Sequence, residues 1–214
     1  MLEISQAKDH HHLPAPVFSV VLAGGRSTRM GQDKRFLKFG GEFLVDRAAR
    51  LGAEISGDKD HVFICGSVPE RKCIPDVVLG LGPLGGLLSV TDHIERSGIL
   101  GFSPWVAVCP IDMPFLNKEV FRPLFAMIHE GLPSGCTAIS YQGFEMPFIF
   151  RCDLKAKGLL EKICKDPNPS QRSIHCYLEA IGIHRVNCES SIRNSMINAN
   201  SPTDWMRVRQ EERL

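Results

Sequence analysis

The chain reads as an α/β protein: a doubly wound, mostly parallel sheet with helices on both faces. Three observations predict it. Short β-branched runs alternate with longer helical stretches, Trp105-Val106-Ala107-Val108-Cys109 is continuously apolar, and glycine-rich turns follow the strands. In chain order, Val17 to Ala23 is the first strand, Leu44 to Leu51 a helix and His61 to Cys65 a second strand. Leu84, Leu87, Leu88, Thr91 and Ile94 fall on one helical stripe, the pattern of a helix packed against a sheet. The run from Trp105 to Cys109 is what a central parallel strand buried on both faces requires, and Val120 to Ile128 is then a helix. Thr137 to Ser140 and Pro147 to Phe150 follow as strands, Leu154 to Cys164 and Ser173 to Ile181 as helices, and Ile183 to Val186 as a late strand. Pro202 suits the first position of a last helix, with Ser201 as its cap.

In such sheets ligands bind at the carboxyl ends of the strands. There the first strand runs into Leu22-Ala23-Gly24-Gly25-Arg26-Ser27-Thr28-Arg29-Met30-Gly31-Gln32-Asp33-Lys34. Gly24, Gly25 and Gly31 let backbone N–H groups approach an anion, and Arg29 and Lys34 supply full charges. The spacing is neither that of a dinucleotide-binding fingerprint nor that of a Walker loop, so those two classes lose weight. An ordinary surface loop with two arginines and a lysine is the competing reading of this segment alone. Gly80-Leu81-Gly82-Pro83-Leu84-Gly85-Gly86 is a second turn-rich entry to a helix. Its glycines serve equally to present N–H groups to a ligand or to allow tight packing.

After the buried strand, Pro110-Ile111-Asp112-Met113-Pro114 places one aspartate in a turn stiffened by prolines. Magnesium binds through one or two carboxylates plus substrate phosphates, so Asp112 facing a polyphosphate loop is a metal ligand in waiting. Alone, the same residue reads as a turn or cap aspartate ahead of Asn117. The two segments together favour the functional reading.

Composition narrows the partners. At 214 residues the chain fits one domain, residues 16–214, behind a polar leader of residues 1–15 expected to be disordered. With 25 Lys and Arg against 24 Asp and Glu, the overall charge suggests neither nucleic acid nor a membrane surface as partner. The chain has neither a long apolar run nor a signal-like start, and its expected location is the cytoplasm. Eight cysteines without a Cys-x-x-Cys pair are expected to be reduced and mostly buried.

With both segments in view, the chain resembles the molybdenum cofactor guanylyltransferase family of the Rossmann-like nucleotidyltransferase fold, from about Pro16 to Arg207. The resemblance rests on Leu22-Ala23-Gly24-Gly25, Arg29-Met30-Gly31 and Asp33-Lys34, on Gly82-Pro83-Leu84 followed by Gly86, and on Cys109-Pro110-Ile111-Asp112-Met113-Pro114. It also rests on Met146-Pro147 and on Asn198-Ala199-Asn200-Ser201-Pro202-Thr203-Asp204. It implies that Leu22, Ala23, Gly24, Gly25 and Lys34 bind GTP, that Asp76 helps recognise the guanine nucleotide, and that Asp112 binds nucleotide and Mg²⁺. Asn198 and Asn200 would lie near the pterin phosphate. The implied reaction transfers GMP from GTP to the terminal phosphate of molybdopterin, with Arg29 and Lys34 holding the departing pyrophosphate. Molybdoenzymes and other cofactor-synthesis proteins are the implied partners.

Three features depart from the family pattern. Cys65 stands in place of an asparagine, Met146 in place of a histidine, and the interval from Asp76 to Gly82 is a residue short. The first weakens an expected nucleotide contact, since a thiol is a poor hydrogen-bonding substitute. The loop sees only the triphosphate. Alternatives are therefore a transferase of this fold that uses CTP or a sugar or polyol phosphate acceptor, and a non-catalytic GTP-binding regulatory module.

Overall fold

The computed structural model describes residues 15–24 and 33–212. They form β1 (Val17–Leu22), β2 (Lys38–Phe39), β3 (Glu42–Phe43), α1 (Leu44–Ser56), β4 (Val62–Cys65), β5 (Cys73–Ile74), α2 (Pro83–Arg96) and β6 (Trp105–Pro110). The second half adds α3 (Lys118–Glu130), β7 (Ala138–Tyr141), β8 (Phe148–Arg151), α4 (Leu154–Cys164), α5 (Ile174–Ile181), β9 (Ile183–Val186), α6 (Ser190–Ser195) and α7 (Pro202–Glu211). The expected leader, apart from Ala15, lies outside the described residues.

Among the described residues seven strands make one sheet in the order β5-β4-β1-β6-β8-β7-β9. β1 runs parallel to β4 and β6, β4 to β5, and β7 to β9. β8 is antiparallel to both β6 and β7. The reason lies in chain length. Residues 142–147 are too few for a crossover, so β7 and β8 can pair only as a hairpin does. The expectation of a parallel strand from Trp105 to Cys109 therefore holds on its β1 side and fails on its β8 side, while burial on both faces holds for the whole of β6.

Alternation along the strands feeds two cores. Val21, Ala107, Ile139 and Ile149 face α1, α3 and α7, which contribute Leu51, Leu124 and Val208. Phe18, Val20, Val106, Val108 and Phe150 face α2, α4 and α5, which contribute Leu87, Leu160 and Tyr177. Helix ends follow their side chains. Asp153 accepts from the Ala156 N–H at 2.8 Å, and Ser201 and Asp204 form a reciprocal capping box at the start of α7. No helix among the described residues is long and apolar enough to cross a membrane.

One glycine shows how tightly the late strand is seated. Gly182 enters β9 at φ +78°, and a Cβ there would sit 2.1 Å from the Gly135 carbonyl oxygen. Gly182→Ala should therefore cost about 3 kcal/mol or more, from positive φ and a backbone clash that no side-chain motion relieves. Urea unfolding would measure it. A loss below about 0.5 kcal/mol, the ordinary range for surface changes, would contradict this seating.

Candidate active site

Three parallel strands end at one place. β1 delivers Leu22, Ala23 and Gly24, β4 delivers Cys65, and β6 delivers Pro110, Ile111 and Asp112. Gly82, with Pro83 and Gly86 of α2, closes one side, and Lys34, Arg35, Asp76 and Met146 complete an open cleft. The position is where open α/β sheets bind small-molecule ligands. The N-terminus of α2, with Pro83 in its first turn, meets the cleft at its positive end.

Lys34 opens a short 3-10 turn, Lys34–Phe36, that Asp33 caps by accepting from the Arg35 N–H at 3.0 Å. The turn carries the Lys34 ammonium across to the end of β6. There it donates to Asn200 Oδ1 at 2.8 Å and lies 3.9 Å from the Asp112 carboxylate. The Asp112 carbonyl accepts from the Ala199 N–H at 2.7 Å, which docks residues 198–200 onto the strand end. Asn200 is held in turn by its own N–H to Asp204 at 3.2 Å. Lys34 and Asp112, far apart in sequence, therefore meet through contacts that the loop before α7 completes.

Burial sets the electrostatics. The Asp112 side chain is 28% exposed and that of Lys34 16%, so neither charge is fully screened by water. Burial pushes the Asp112 carboxyl above its ordinary value, against the pull of Lys34 in the other direction. Burial also raises the Asp76 carboxyl. Its Oδ1 is buried and has no hydrogen-bond partner among the described residues, and its Oδ2 stands 3.4 Å from where a Cβ on Gly24 would be. A buried acceptor without a donor is costly unless a ligand supplies one.

Of the site residues expected from sequence, Leu22, Ala23, Gly24, Lys34, Asp76 and Asp112 line one cleft. Asn200 joins them through Lys34. Asn198 is exposed and not among the lining residues. Gly25 and Arg29 lie outside the described residues. Cys65 is buried, its thiol directed at the Gly86 carbonyl at 3.4 Å, and burial drives its pKa far up, which makes it an inert packing group. Tight packing accounts for Gly86, where a Cβ would stand 3.0 Å from Cys65 Cβ and 3.2 Å from Leu22 Cδ2. Met146 lines the cleft and packs against both cores. Arg35 was missed. Its charge beside Asp33 and Lys34 was the available signal.

Among the described residues no three His, Cys, Asp or Glu side chains gather as a metal cluster. Among the described residues Asp112 and Asp76 are the carboxylates that line the cleft, a sparse donor set that suits Mg²⁺ only when substrate phosphates complete the shell.

A family model described as a MobA-like NTP transferase domain matches residues 19–174. The chain belongs to the MobA-like NTP transferase family. Among its relatives is a protein of Xanthomonas euvesicatoria pv. vesicatoria named molybdenum cofactor guanylyltransferase, 33% identical over 93% of this chain and 97% of that one. Another, from Pelotomaculum thermopropionicum and named a probable molybdenum cofactor guanylyltransferase, is 28% identical over 89% of this chain and 90% of that one. Solved structures of this MobA-like fold include molybdopterin-guanine dinucleotide biosynthesis protein A from Archaeoglobus fulgidus, with TM-score 0.67, 20% identity and coverage of 91% and 97%. The 2-C-methyl-D-erythritol 4-phosphate cytidylyltransferase of Thermus thermophilus shares the fold at TM-score 0.57, 16% identity and coverage of 93% and 100%.

Proposed function

We propose that this MobA-like transferase moves GMP from GTP to the terminal phosphate of molybdopterin, releasing pyrophosphate and forming a guanine dinucleotide cofactor. The observation that carries the reading is the convergence of Lys34 and Asp112 at the strand ends beside Asp76, whose buried Oδ1 has no donor among the described residues. The names of the relatives point the same way.

In this reaction an acceptor phosphate oxygen bonds to the α-phosphorus of GTP. The bond from that phosphorus to the bridging oxygen breaks, and its electron pair leaves with pyrophosphate. A phosphate monoester has a second pKa of about 6, so the nucleophile arrives charged and needs no strong base. The protein's contribution is positioning and charge neutralisation, which Lys34 and the α2 N-terminus provide around the cleft. Arg29 is the second cation the sequence offers. Asp112 is the carboxylate that would hold Mg²⁺, which when bound supplies further positive charge to the phosphates. Asp76 would accept from the adjacent N1–H and amino donors of guanine. Cytoplasmic location and hand-over of the product to molybdoenzymes complete the reading.

Label at the α-phosphate of GTP should appear in the pterin product, and label at the β- or γ-phosphate in pyrophosphate. Label released as free GMP, with none on the pterin, would contradict transfer. Asp76→Asn keeps the side chain's size but exchanges one acceptor oxygen for a donor. KM for GTP should then rise by about 10-fold to 100-fold, the range of a lost bidentate base contact, with CTP affected much less. Equal changes for both nucleotides would remove Asp76 from base recognition.

A further inference from the structure

Arg35 lies in the cleft wall, yet its guanidinium is committed to protein groups. Its Nε donates to Asp33 Oδ1 at 2.8 Å and Oδ2 at 2.9 Å, and its Nη2 also bonds that carboxylate. Its Nη1 donates to the Ser67 carbonyl in the turn after β4. On the other side of the glycine-rich segment, Gly24 packs on the same turn, since a Cβ on Gly66 would lie 3.3 Å from the Gly24 Cα and nitrogen. Gly66 is fixed by donating to the Ile74 carbonyl at 2.9 Å. Entry and exit of the phosphate segment are thus both referred to the Gly66-Ser67 turn, by packing at Gly24 and by Arg35 at Asp33.

We propose that Arg35 is a positioning residue that, with Asp33, fixes the exit of the glycine-rich segment to the Gly66-Ser67 turn and so sets Lys34 for the triphosphate. The inference rests on the nucleotide-binding reading of the cleft. Lys34 follows Asp33 directly, so the span from Ser67 through Arg35 to Asp33 determines where the ammonium is carried. The planar fork meets the carboxylate edge-on and still has a donor for Ser67. A lysine ammonium has the charge but cannot hold both partners in that geometry.

The test is a double-mutant cycle on nucleoside triphosphate binding and turnover with Arg35→Ala, Asp33→Asn and the pair. Each single variant should raise KM for GTP and lower kcat, each by about tenfold, the scale of one charged hydrogen bond lost in setting Lys34. The pair should do no more than either single change, because both remove one coupled unit. Arg35→Lys should fail to restore KM. Additive effects, rescue by lysine, or kcat left unchanged would each overturn the assignment, additivity pointing to direct contact between Arg35 and nucleotide. Wild-type protein that binds CTP in place of GTP would overturn the guanine reading alone, and the same cycle read on CTP would still decide Arg35. Wild-type protein that binds neither would overturn both.

Discussion

Lys34→Ala should lower turnover about 100-fold or more, the usual effect of removing a preorganised charge from developing negative charge. The fold should survive, because Lys34 spans an open cleft and its ion pair with Asp112, at 3.9 Å, is partly exposed and contributes little stability. A second consequence follows from electrostatics. Lys34 is the group that pulls the Asp112 carboxyl down against burial, so its loss should raise that carboxyl further. The acid limb of the pH–rate profile should then move to higher pH in the variant. Near-normal turnover would remove Lys34 from the mechanism, and an unmoved acid limb would remove Asp112 as the group that titrates.

Asp112→Asn should reduce activity by about 100-fold to 1000-fold and abolish the dependence on Mg²⁺, yet raise the thermal midpoint of the nucleotide-free protein. The sign follows from the direction of the shift. A carboxyl whose folded pKa is raised binds protons more readily folded than unfolded, so its ionisation destabilises the fold. That cost is fully present above the folded pKa and vanishes below the unfolded one. Near neutral pH it is present, and asparagine removes it. Scanning calorimetry at pH 7 would show the rise, and the difference from wild type should shrink as pH falls through the raised carboxyl range. A fall in midpoint together with retained metal-stimulated turnover would place the metal ligand elsewhere.

These two residues also mark how far the sequence could be read. Lys34 comes after β1 and its glycine-rich segment, and Asp112 comes just after β6; both strands are strongly apolar, and their burial on two faces leaves a plain hydrophobic signature. The long helices were legible for the same reason. α4 and β9 have the predicted bounds, and Ser201 caps α7 as expected. The hairpin of β2 and β3 was not legible, because two-residue strands carry no alternation, although Gly40 and Gly41 turn with positive φ between them. β5 escaped for the same reason. The antiparallel placement of β8 depends on a connection length, which hydrophobic pattern does not report. At the site, the resemblance supplied Asp76 and Asn200, while the partnerships of Asn200 with Lys34 and of Arg35 with Ser67 arise only from folding. Cys65, read from sequence as weakening a ligand contact, lines the cleft with its thiol directed at the Gly86 carbonyl.

The central claim is guanylyl transfer to a pterin phosphate, and pyrophosphate release tests it most directly. Purified protein with Mg²⁺ would be given GTP or CTP together with molybdopterin or with a panel of sugar and polyol phosphates. The account predicts pyrophosphate from GTP with molybdopterin alone. Release from CTP, or from GTP with a sugar or polyol phosphate in place of the pterin, would contradict it, and GTP binding without release on any acceptor would make the cleft a nucleotide sensor.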